Sequence, residues 1–157
     1  MEVKKNGILI IGIGNEFRSD DGYGLTIARE IREKIDPSVR VIEHSGDGAS
    51  LMEAWKGFDN VIIIDAVCFG KKPGTLHIID ANKEHLPPEK IHHSSHIFGL
   101  NDAIETARVL KKLPRNIQII GVEGKSFVTG TSMSAEIKAT MNDVVDKIIL
   151  DISKRNQ

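Results

Sequence analysis

Three polar groupings in this sequence could do chemistry together. The first is Gly12-Ile13-Gly14-Asn15-Glu16-Phe17-Arg18-Ser19-Asp20-Asp21-Gly22-Tyr23-Gly24, which carries two adjacent acids near its end. The second is Asp65, placed directly after Ile62-Ile63-Ile64. A carboxylate in such apolar company needs a partner or water, because an unpaired buried charge is costly. The third is His92-His93-Ser94-Ser95-His96. Two acids repel at close range, and a shared divalent cation offsets that repulsion. Carboxylate plus imidazole suits zinc, nickel, iron or copper better than calcium. Three protein ligands leave open positions on the metal, as a working site requires and a closed structural site does not.

Plainer roles are open to the same residues. Asp65 can cap a helix or accept a nearby backbone N–H. Asp20 and Asp21 can form a solvated helix start favoured by the macrodipole, and Asp20 is read that way. His92 and His93 are expected at the surface, and His44, His77 and His85 have no evident ligand partner in the sequence. The one cysteine, Cys68, excludes an internal disulfide and a multi-cysteine zinc site, and reads as a small, partly buried hydrophobe. Ser94 and Ser95 adjoin histidines, but neighbouring side chains in an extended segment point to opposite faces, so no serine–base pair is evident.

Five apolar runs must position these groups: Gly7–Ile13, Val39–Glu43, Val61–Asp65, Thr75–Ile79 and Ile117–Val122. They are nearly continuous in apolar character, which fits strands covered on both faces. Helical patterns lie between them. Leu25, Ala28, Ile31 and Ile35 share one face. Ser50-Leu51-Met52-Glu53 fits a capping box opening a helix to about Trp55. Leu100, Ala103, Ile104, Ala107 and Leu110 form a third stripe before Pro114, and the last helix carries Ile137, Met141, Val144, Val145, Ile148 and Ile152. The alternation predicts a three-layer α/β/α sandwich with a mixed, mostly parallel five-stranded sheet. Only Ala66–Gly74 joins strands three and four, too short for a helical crossover, so strand four should run antiparallel. Ligands bind outside the carboxyl ends of strands in such sheets, and the three polar groupings fall there.

The 157 residues suit one domain spanning 1–157, with 40% hydrophobic and 27% charged residues. A formal net charge of −1, with no cluster of Lys and Arg, offers no electrostatic footprint for nucleic acid. Ile8-Leu9-Ile10-Ile11 is too short for a membrane span and lacks the cleavage site of a secretory leader. A cytoplasmic protein without membrane attachment is therefore expected, and a monomer, since no long unpaired apolar stripe is evident in the sequence. Gly12-Ile13-Gly14 also invites a dinucleotide-binding reading. The third glycine of that motif would fall at Phe17, and the acidic stretch would repel a pyrophosphate.

Together these motifs resemble the hydrogenase maturation endopeptidase family. The resemblance covers nearly the whole chain. It rests on Gly12-Ile13-Gly14-Asn15 with Asp20-Asp21-Gly22-Tyr23-Gly24, on Ile64-Asp65-Ala66-Val67, on Ser95-His96-Ile97-Phe98-Gly99-Leu100 and on Gly121-Val122-Glu123-Gly124. It implies removal of a C-terminal extension from the large-subunit precursor of a nickel–iron hydrogenase after nickel insertion. It also implies Asp21, Asp65 and His96 as metal ligands and as the catalytic set, with nickel presented by the precursor. The alternative on the same fold is a nickel-binding maturation factor that does not cleave. Two segments depart from the family pattern. Gly46-Asp47-Gly48-Ala49 stands where many members have Asp-Gly-Gly-Thr, and Thr129–Ser134 differs from the commoner Leu-Ser-Pro version.

Overall fold

In the computed structural model, which describes residues 5–90 and 98–155, the apolar runs pair into one sheet. Its strands are β1 (Lys5–Ile13), β2 (Arg40–His44), β3 (Phe58–Val67), β4 (Leu76–Asp80) and β5 (Asn116–Glu123), in the order β2-β1-β3-β5-β4. β1, β2, β3 and β5 are mutually parallel, and β4 runs antiparallel to β5. The short β3–β4 connection does reverse the chain as expected. Yet β4 pairs with β5, which inserts between the two strands that the connection joins.

The helices are α1 (Tyr23–Lys34), α2 (Gly48–Trp55), α3 (Leu100–Val109), α4 (Ala135–Lys138) and α5 (Met141–Arg155), with a 3-10 turn over Ser19–Gly22. Side chains alternate along a strand, so each strand feeds two cores. Leu9, Ile11 and Ile13 pack with Leu51 and Trp55 of α2 and Ala103, Ile104 and Ala107 of α3. Ile8 and Ile10 pack on the opposite face with Ile27 and Ile31 of α1 and with Val144, Val145, Ile148 and Ile152 of α5. In β3 the same alternation puts Ile63 and Val67 on the α2/α3 face and Ile62, Ile64 and Ala66 on the α1/α5 face. Asp65, between Ile64 and Ala66, therefore stands on the α2/α3 side. No helix among the described residues is long and apolar enough to cross a membrane.

Two expected details change. The cap of α2 is Asp47, not Ser50: the Asp47 carboxylate accepts the backbone N–H of Ser50 at 3.1 Å and its hydroxyl at 2.7 Å. An acceptor three residues upstream takes the N–H that a capping serine would leave to others, so the helix begins earlier. The last helical pattern is also divided, because α4 ends before Thr140 and α5 starts at Met141.

The first turn of α1 lies directly on the sheet. A side chain at Gly24 would collide with the carbonyl oxygens of Ile13 and Ile64, and one at Gly12 would meet the carbonyl of Gly24. Glycine at both positions lets the helix start touch β1 and β3, which sets where the residues just before it must sit.

Candidate active site at the carboxyl edge of the sheet

Successive connections leave β1 toward β2 and β3 toward β4, on opposite sides of the sheet. The crevice at their carboxyl ends is the topological switch point where such folds bind ligands. A cleft of about 580 Å³ opens there, within the usual ~300–1,000 Å³ of ligand sites. Asp21 and Asp65 both line it. Asp65 comes from the end of β3 and is 9% exposed; Asp21 comes from the 3-10 turn ahead of α1 and is 8% exposed. Ile13, Leu25, Val67, Phe69, Leu86 and Pro87 supply apolar wall around them. The structure thus places on one cleft the two predicted carboxylates, which stand 44 positions apart in the chain. His96, like His92 and His93, lies outside the described residues.

The backbone around Asp21 is held on both sides. Its N–H donates to the Arg18 carbonyl at 3.1 Å, and its own carbonyl accepts from Asn15 N–H at 3.1 Å. Glu16, also on the cleft wall, is bridged by Arg29 at 3.2 Å, and the same guanidinium reaches Glu43 at 2.7 Å. The hydrogen bonds from Arg29 and Arg32 hold the Glu43 carboxyl below the ordinary glutamate range.

Asp20 is not the solvated helix start that its position suggested. It is fully buried. Its carboxylate accepts the N–H groups of Ser134 (2.7 Å), Lys125 (2.8 Å) and Ser126 (2.9 Å) and the Ser134 hydroxyl (2.9 Å). Burial alone pushes such a carboxyl up. Here the four donors outweigh it and hold Asp20 below the ordinary aspartate range. The reason for the difference lies far away in sequence, in the segment after β5 that folds back over the acid loop.

Other polar residues gain partners that spacing did not reveal. Glu123, 1% exposed, accepts the Phe69 N–H at 2.7 Å and sits 3.2 Å from His77 Nε2. The His77 ring meets Phe69 edge-on, with centroids 5.0 Å apart. His85 bonds Glu105 at 2.8 Å, and His44 Nδ1 accepts from Gly46 N–H at 2.9 Å. Cys68 is partly buried, in line with its reading as a small hydrophobe, and its N–H donates to Glu89 at 2.8 Å. The strand-five motif Gly121-Val122-Glu123-Gly124 was the available signal for Glu123. Across the sheet its glutamate lies opposite Val67, two residues along the strand from Asp65.

A mixed five-stranded sheet between helix layers is also the fold of solved maturation peptidases. The structure of the nickel–iron hydrogenase maturation protease HycI from Thermococcus kodakarensis superposes with a TM-score of 0.70 at 25% identity, over 94% of this chain and 93% of that one. A putative hydrogenase maturation protease of Methanocaldococcus jannaschii is 28% identical over 97% of this chain and 100% of its own length. The hydrogenase expression/formation protein HoxM of Cupriavidus necator is 26% identical over 89% of this chain and 71% of its own. The model of the hydrogenase maturation protease family matches residues 25–151, and the chain belongs to that family. It is accordingly a hydrolase of the peptidase class.

Proposed function

We propose that the protein removes a C-terminal extension from the nickel-loaded large-subunit precursor of a nickel–iron hydrogenase. In this reading Asp21, Asp65 and His96 meet the nickel that the precursor carries. The observation that supports it most is the convergence of two buried carboxylates, one from the end of β3 and one from the turn ahead of α1, on one cleft at the β1/β3 switch point. Two carboxylates and an imidazole are few soft donors for a permanent nickel store, whereas they suit contact with a metal already held by another protein.

Hydrolysis breaks the peptide C–N bond. Water delivers hydroxyl to the carbonyl carbon and a proton to the departing amine. The nickel of the substrate supplies Lewis-acid polarisation when the complex forms. Asp21 and Asp65 supply carboxylate oxygens able to accept a proton from the attacking water. Their apolar surroundings, Ile13, Leu25, Val67 and Phe69, exclude bulk water from the cleft wall and strengthen electrostatic contact inside it.

The test compares nickel-loaded with nickel-free precursor, each incubated with purified protein and weighed by mass spectrometry. Loss of a C-terminal fragment from the loaded form alone is the expected result. Equal cleavage of both forms would overturn nickel recognition. An unchanged mass in a complex that does form would overturn cleavage itself.

A further inference from the structure

From the geometry we infer that Asp20 is a positioning residue for the peptidase: it bolts the segment between β5 and α4 onto the acid loop and thereby sets the direction of Asp21. The inference rests on the cleavage reading above and names a residue that acts through another. Asp20 is absent from the cleft's lining, while its neighbour Asp21 is on it.

The bolt is built from many bonds. Three N–H groups and one hydroxyl converge on the Asp20 carboxylate, from Lys125, Ser126 and both donors of Ser134. Asp20 also donates its own N–H to the Ser126 carbonyl at 3.0 Å. Next to it, Ser19 donates its N–H to Gly130 at 2.8 Å and its hydroxyl to the Val128 carbonyl at 2.8 Å. Gly130 returns an N–H to the Phe17 carbonyl at 2.9 Å, and Arg18 Nε reaches the Phe127 carbonyl at 3.3 Å. So every residue from Phe17 to Asp20 is tied to the strap.

The acid loop needs holding. Ser19 has φ +55°, in the left-handed region that a residue with a side chain rarely occupies, and such a conformation persists only where surrounding structure over-determines it. Ser19 opens the 3-10 turn that ends in Gly22 and carries Asp21. A slackened strap would let that turn relax and swing Asp21 away from Asp65.

The chemistry also selects aspartate. All four groups facing the carboxylate are donors, and an ionised carboxylate is acceptor-only. Asparagine would set its own NH₂ against donors. The Lys125 ammonium hydrogen-bonds Glu136 at 2.8 Å, so it is the Lys125 backbone N–H and not its side chain that bonds the Asp20 carboxylate. Ser134 is the N-cap residue of α4, makes no side-chain cap there, and donates its hydroxyl to Asp20.

The experiment measures processing kinetics of the full chain on nickel-loaded precursor for wild type, Asp20→Asn, Ser134→Ala and Ile152→Ala. The last truncates the α5 core and controls for lost stability alone. Asp20→Asn should lower kcat on the order of 10- to 100-fold, as small misplacements of a working group do, with KM little changed. Ser134→Ala, which keeps the three backbone donors, should give a smaller loss in the same direction and carries the test if Asp20→Asn does not fold. Wild-type kcat in Asp20→Asn, or in a folded Ser134→Ala when Asp20→Asn does not fold, overturns the inference. So does a loss no larger than that of Ile152→Ala at equal Tm. If wild type itself leaves the precursor intact, the cleavage reading falls, and amide hydrogen exchange then decides on Asp20. Faster exchange at Asp21 in Asp20→Asn supports the bolt; an unchanged Asp21 amide overturns it.

Discussion

At the scale of single residues, the informative ones are polar groups out of place. Asp65 was legible because three isoleucines precede it, and a carboxylate there demands a purpose. Asp21 was legible as one of two adjacent acids, and the choice between them came from the family pattern. Asp20 was misread because its partners lie 105 to 114 positions away, beyond anything spacing can express. His77 and Glu123 were hidden for the same reason: they sit in adjacent antiparallel strands whose pairing no local pattern announces. The Glu123 bond to Phe69 yields a prediction at this scale. Glu123→Ala leaves the buried Phe69 N–H without its acceptor and should cost about 1–3 kcal/mol. Urea unfolding measures it, and a midpoint equal to wild type would show that the contact does not hold the cleft wall.

At the scale of elements, the strands were readable because sheets covered on both faces write themselves as short isoleucine- and valine-rich runs. The reversal of β4 was readable from the length of one loop. Its partner was not, since loop length constrains direction and says nothing about which strand fills the gap. The start of α2 was missed by two residues because Asp47, in a glycine-rich turn, accepts the Ser50 N–H and so caps the helix ahead of Ser50. The start of α1 is tied to the junction between α4 and α5 by Tyr23, whose hydroxyl lies 2.8 Å from Thr140 Oγ1. Burial pushes the Tyr23 phenol up to about 12, from an ordinary 10.0. A folded value above the unfolded one means that this stabilisation is complete below pH 10 and fades as pH climbs through 12. Tyr23→Phe removes the titrating group. The variant should therefore lose less stability than wild type between pH 10 and 12, measured by denaturant titration at each pH. Parallel curves for the two proteins would contradict the coupling.

At the scale of the whole molecule, two cores on opposite faces of the sheet bring the ends of β1 and β3 together. The cleft between them collects what each loop contributes. α1, pressed onto the sheet through Gly24, fixes one carboxylate; β3 fixes the other; the strap after β5 braces the first. The chain that builds this cleft belongs to the hydrogenase maturation protease family. The central claim is that Asp21, Asp65 and His96 act as one set on a nickel-loaded precursor. Its most direct test is the processing rate of Asp65→Asn, followed by mass spectrometry of the precursor beside wild type, with circular dichroism confirming an intact fold. The account predicts a folded variant whose cleavage rate falls by about 10²–10⁴-fold, the range for loss of a positioned proton acceptor. A folded Asp65→Asn that shortens the precursor at the wild-type rate would contradict it.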